Sequence, residues 1–98
     1  MQSNVIVMRE AVKRYRAYLT TRGIPEESYF GDKFPQTERE VLSHCHAMLS
    51  EVDEYLKNDK LVRAAVCLGF VRGCLWSLTA YTLNEFISHL EPVSQAEI

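Results

Sequence analysis

Little in this chain belongs to the usual equipment of small enzymes or secreted domains. Four glycines and three prolines in 98 residues leave no glycine-rich loop to cradle a phosphate and no low-complexity linker. Cys45, Cys67 and Cys74 are odd in number and form no CxxC, which argues against a disulfide framework and for reduced thiols. A surplus of one charge is also missing: the net charge of −2 removes the broad basic excess typical of a nucleic-acid binder. The most apolar stretch is interrupted by Arg63 and Arg72, and one arginine near mid-membrane costs at least about 2.5 kcal/mol, so no membrane association is expected. The opening MQSNVIVMRE lacks the basic start and long apolar core of an export signal, and a cytoplasmic protein is expected. No segment alternates with the period of a strand, and nothing repeats.

What remains is a globular composition, 47% hydrophobic and 24% charged, arranged with helical spacing. The first helix is expected from about residue 3 or 4 to 22, burying Val5, Met8, Val12, Tyr15 and Leu19, and ended by Gly23 and Pro25. A long connection follows at 23–36, with two glycines, two prolines and the aromatics Tyr29, Phe30 and Phe34. Those rings either cap one end of the fold or form a binding loop. Thr37 and Glu40 have capping-box spacing and open a second helix to about residue 57, with Leu42, Cys45, Leu49, Val52 and Leu56 as its seam. Asn58 and Asp59 supply a short turn and the next N-cap, making helices two and three antiparallel neighbours. A second capping box, Thr82 to Glu85, opens a short fourth helix closed by Pro92, and 93–98 read as a frayed tail. The expected architecture is one all-α domain over 1–98, a compact bundle of three long helices plus one short C-terminal helix.

The third helix, 61–78, is apolar on two faces. Leu61, Ala64, Leu68, Val71, Leu75 and Leu78 form a seam for helix two. Val62, Val66, Gly69, Gly73 and Trp76 form a second stripe, with Ala65, Gly69 and Gly73 four residues apart. Glycine in a helix costs roughly 1 kcal/mol relative to alanine, so two of them one turn apart suggest a closely packed neighbour. That neighbour is helix one, a second copy of the chain, or another protein.

Chemistry is sparse. His44 and His46 are two apart on a helix and point about 200° away from each other, so they do not ligate one metal ion; ordinary core thiols and surface histidines are the simpler reading. His89 sits on helix four with nothing to single it out. Glu51, Asp53 and Glu54 lie among solvated residues without an apolar pocket to raise a pKa. No nucleophile elbow, phosphate loop or HExxH is present, so neither an enzyme nor a cofactor is expected.

Charge is segregated by helix. Arg9, Lys13, Arg14, Arg16 and Arg22 against Glu10 give residues 1–22 a net of +4; six acids against Arg39 and Lys57 give residues 37–59 a net of −4. The two helices attract each other, or else Arg9, Lys13 and Arg16, on one face, touch phosphates; three such contacts give a salt slope of only about −2.7, a weak nucleic-acid interaction. Helix three, offering Ala, Val, Leu, Phe and Gly, does not read base edges, and helix four has Asn84, Ser88 and His89 but no Arg or Lys.

From 64 to 90 the string AAVCLGFVRGCLWSLTAYTLNEFISHL resembles small proteins of tailed phages and prophages. Leu68, Gly69, Phe70, Val71, Gly73, Leu75 and Trp76 match an LGF-(V/I)-x-G-x-LW core, and Thr82, Leu83 and Glu85 a following Thr-(Ile/Leu)-x-Glu helix start. Where that pattern carries Gln and Asn, this chain has Arg72 and Leu90. Size and helical pattern also resemble the anti-RecBCD accessory proteins of lambdoid phages. That resemblance implies a non-catalytic protein that binds a host recombination nuclease. Sequence therefore nominates Tyr29, Phe30, Phe34, Cys67, Gly69, Phe70, Gly73 and Trp76 for partner binding, with a homodimer as the alternative.

Overall fold

A computed structural model describes residues 2–29, 33–78 and 80–90. It is all-α: α1 (Gln2–Thr21), α2 (Glu38–Lys57), α3 (Leu61–Ser77) and the short α4 (Leu83–His89). Helices α2 and α3 make the most extensive contact, α1 lies mainly on α2, and α4 packs on α1. Pro92 and the segment 93–98, expected as helix stop and tail, fall outside the described residues.

Each helix end has a local cause. At the end of α1, Gly23 adopts φ 72°, Ile24 N–H donates to Leu19 O at 3.0 Å and Gly23 N–H to Thr20 O at 3.0 Å, a Schellman motif. Ile24 is thereby turned into the core, an anchor the sequence reading did not list. The same motif ends α2, where Lys60 N–H reaches Tyr55 O at 2.8 Å and Asp59 N–H reaches Leu56 O at 3.3 Å. Asp59 takes the left-handed position, φ 64°, and so belongs to the end of α2; the residue before α3 is Lys60, with no side-chain cap. This corrects the expected Asn58–Asp59 N-cap. Thr37 accepts from Glu40 N–H at 3.1 Å as expected, but the Glu40 carboxylate accepts from Gln36 N–H rather than from Thr37, because the extended chain before the cap presents that donor instead. The Thr82–Glu85 box is complete, at 2.8 and 3.1 Å.

The core joins Val12, Tyr15 and Leu19 of α1 to Cys45, Leu49, Val52 and Leu56 of α2 and to Ala64, Leu68, Val71 and Leu75 of α3. Ala11 is equally buried, widening the expected stripe of α1, while Val5 and Met8 are half-buried near its start. Tyr15 also organises an aromatic cluster with Tyr81, Phe86 and His89, ring centroids 5.4–5.9 Å away, that seats α4. Arg72 of α3 completes this seat. Its guanidinium lies 5.1 Å from the centre of the Phe86 ring and donates to Phe86 O at 2.6 Å, satisfying one of the last carbonyls of α4.

The long connection after α1 is strapped along α2. Arg39 donates to Gly23 O at 2.7 Å, Glu27 N–H donates to Ser43 O at 3.2 Å, and Ser50 donates to Glu26 at 3.1 Å. His46 corrects another expectation: it is buried, with Nδ1 2.8 Å from Ile24 O, because the strap covers it. Spanning a helix sideways, rather than turning directly into it, is why this link is long.

Candidate interaction surface

Two apolar stripes on one helix cannot both face α2. At 100° per residue, Leu68, Val71 and Leu75 point to the core, while residues 62, 65, 66, 69, 70, 73 and 76 fall within an opposite arc of about 140°. The structure turns that arc to solvent. Val62 is 78% exposed, Val66 67%, Trp76 52% and Phe70 51%, and a Cβ added at Gly69 or Gly73 would meet no atom within 4 Å. Helix one is therefore not the close neighbour that the glycines suggested. The four large side chains alone leave roughly 400 Å² of apolar surface in water, the size of the largest patch on an ordinary monomer.

Two grooves flank this face on the side toward α1 and α4. One, of about 340 Å³, runs between Val7 and Met8 of α1 and Leu61, Val62 and Ala65 of α3. The other, of about 240 Å³, has Gly69 and Gly73 on α3, with Trp76, Arg72, Leu83 and Phe86 around them. Arg72 is the single charged residue in the two linings. Val62, Val66 and Ala65 were on the apolar stripe but not among the nominated binding residues, and Leu83 was read as part of the Thr-Leu-x-Glu start of helix four. Their exposure depends on which face α2 covers.

The nominated loop residues divide. Tyr29 is half-buried, its N–H donating to His44 Nδ1 at 3.1 Å, and His44 in turn meets the Phe70 ring edge-on at 6.1 Å. A 190 Å³ groove lies among Tyr29, Pro35, Val41, His44 and Phe70, so the loop joins the outer face of α3 through Phe70. Phe34 is 78% exposed and caps nothing; Phe30 lies outside the described residues. Cys67 is half-buried on the edge of α3 that turns toward α2, where burial and the Glu51 carboxylate raise its thiol pKa.

The basic face of α1 is partly committed. Arg16 pairs with Asp53 of α2 at 2.9 Å and Lys13 with Glu10 at 3.6 Å, while Arg9 has no carboxylate partner among the described residues. Asp53, expected to be solvated, is the acid that receives α1.

Titratable groups elsewhere serve packing. Cys45 and Cys74 meet across the α2–α3 seam: Cys45, hydrogen-bonded to Cys74 and fully buried, is pushed up, and Cys74, holding that bond as acceptor, is lowered to about 7. Tyr15 and His89 approach to 2.8 Å; burial raises the tyrosine and lowers the histidine, which Arg14 and Arg72 also disfavour in its charged form. Among the described residues no three His, Cys, Asp or Glu side chains converge as metal ligands, and no helix is long and apolar enough to cross a membrane. No family model, no curated protein and no solved structure matches this chain.

Proposed function

We propose that this protein acts by binding another protein through the outer face of α3, and that its target is a host nuclease and recombination complex of the RecBCD type. The observation that carries the first part is the solvent-facing arc of Val62, Val66, Phe70 and Trp76 with open glycines between them. A helix that leaves this much apolar surface in water, on a fold whose core is already built from its opposite face, has a surface suited to a partner. The choice of target rests on the resemblance in size and helical pattern to the anti-RecBCD accessory proteins of lambdoid phages; the 64–90 string supports only the phage-type origin. Such a protein would work by occupying a surface of the nuclease, with no residue of its own taking part in chemistry.

The test uses purified RecBCD. Immobilised wild-type protein is expected to retain the complex and to change its exonuclease rate on linear duplex DNA, and Val66→Glu to lose both by at least about tenfold, a hot-spot-sized effect. Val66 is exposed, so this variant keeps the fold. Unchanged nuclease activity together with no retention would overturn the choice of target.

A further inference from the structure

The thiols that meet inside the α2–α3 seam are placed to do more than pack. The short turn at 58–60 sets α2 and α3 antiparallel, and both core stripes recede from it in steps of four, three and four. On α2 these are Leu56, Val52, Leu49 and Cys45; on α3 they are Ala64, Leu68, Val71 and Leu75. Equal steps put equal levels face to face. Cys45 stands about 16.5 Å along the axis from Leu56, and Cys74 about 15 Å from Ala64, so the register of the hairpin by itself brings these two cysteines to one level. The Cys45 S–H then donates to Cys74 Sγ. Cys67 is left out, since it lies seven residues nearer the turn, about 10.5 Å along α3 from Cys74 and beyond the reach of a disulfide. On this geometry, and independently of the partner reading above, we infer that Cys45 and Cys74 are a redox site which hydrogen peroxide closes into an intramolecular disulfide, clamping α2 to α3.

The two thiols have different tasks. Cys74 is half-exposed and meets the oxidant first, and the bond from Cys45 lowers its thiol to about 7, so much of it is thiolate at neutral pH. Its sulfur attacks the peroxide O–O bond, which breaks to give Cys74 sulfenic acid and a hydroxide that takes up the proton lost from Cys74. Cys45, fully buried, is shielded from peroxide but already aimed at the same sulfur. It attacks Cys74 Sγ: the S–S bond forms, the S–O bond breaks, and the Cys45 proton leaves with the departing hydroxide as water. Two thiols are oxidised by two electrons, and one peroxide is reduced to two waters. The disulfide encloses residues 46–73, a loop long enough to restrict the unfolded chain strongly.

The test treats the reduced full-length protein with hydrogen peroxide, then alkylates it in denaturant for intact-mass and peptide mass spectrometry. Wild type is expected to lose two hydrogens, to keep one alkylatable thiol at Cys67, to yield a peptide linked through 45 and 74, and to revert with dithiothreitol. The oxidised protein should be monomeric in non-reducing gels and melt at least about 8 °C higher. Cys74→Ser should slow the loss of free thiol at least about tenfold, and Cys45→Ala should stop at a Cys74 sulfenic acid that dimedone traps. Should Cys45→Ala not fold, the peptide map of wild type decides alone. Oxidation at Cys67 first, a disulfide between two chains, sulfinic acid at Cys74 without a 45–74 link, or a lower melting temperature in the oxidised protein would each overturn the inference.

Discussion

Replacing Gly69 and Gly73 together by alanine should make the isolated protein more stable, an unusual outcome for two substitutions in the middle of a helix. Glycine in an exposed helix interior is less favourable than alanine by roughly 1 kcal/mol, because it surrenders more backbone freedom on folding. A Cβ at either position meets nothing within 4 Å, so the new methyl groups neither clash nor gain packing, and the propensity term acts alone. Neither added Cβ meets an atom of another helix within 4 Å, so the propensity terms should sum to about 2 kcal/mol. For a domain of this size that corresponds to an increase of about 8–16 °C in Tm. Urea unfolding followed at 222 nm gives the free energy directly, and an unchanged m-value shows that the folded and unfolded states expose the same surface as before. The comparison is made at a concentration where sedimentation shows a monomer. A double variant less stable than wild type would refute the reasoning: something would already fill the space above the glycines, and the outer face of α3 would not be free. If stability rises while partner binding falls, the glycines are maintained for the surface at the expense of the fold.

Thiol reactivity and acid stability test the interior. In a short iodoacetamide pulse read by peptide mass spectrometry, Cys74 should be alkylated first, its rate rising through about pH 7, with Cys67 slower and Cys45 untouched until the protein unfolds; Cys67 ahead of Cys74 would contradict the pairing across α2 and α3. For His89 the folded state favours the neutral ring, so below its ordinary pKa of about 6.5 the unfolded chain binds more protons. Its stabilising contribution is complete above that value and is lost as pH falls through the lower folded pKa. Thermal unfolding between pH 7.5 and 5.5 should therefore show a steeper fall in Tm for wild type than for His89→Gln, and parallel curves would remove His89 from the account.

The local elements could be read along the chain because their causes are local. Spacings of three and four located all four helices to within a residue or two, and Gly23, Thr37 and Thr82 marked ends that depend on a few neighbouring backbone groups. Where a cap was misassigned, at Asp59, the same local residues were involved but in the left-handed conformation that ends α2 rather than at the start of α3. Partnerships across elements were less legible. Nothing in the spacing of α1 says that Arg16 will find Asp53, or that the loop will bury His46 under Ile24, since both depend on how helices are rotated and set against one another.

The third helix shows the division most clearly. Sequence alone determined that 61–78 reads as a helix, one residue longer than the helix that forms, with two apolar faces and two glycines one turn apart, since periodicity and propensity are properties of one segment. It also argued against a base-reading role for that helix, whose faces offer mostly Ala, Val, Leu, Phe and Gly. Only the tertiary structure decided which face α2 covers, that α1 leaves the other one open, and that Arg72 is turned to hold α4. The physical reason is that burial is a property of pairs of elements: one helix can offer two surfaces, and packing against the rest of the chain uses one.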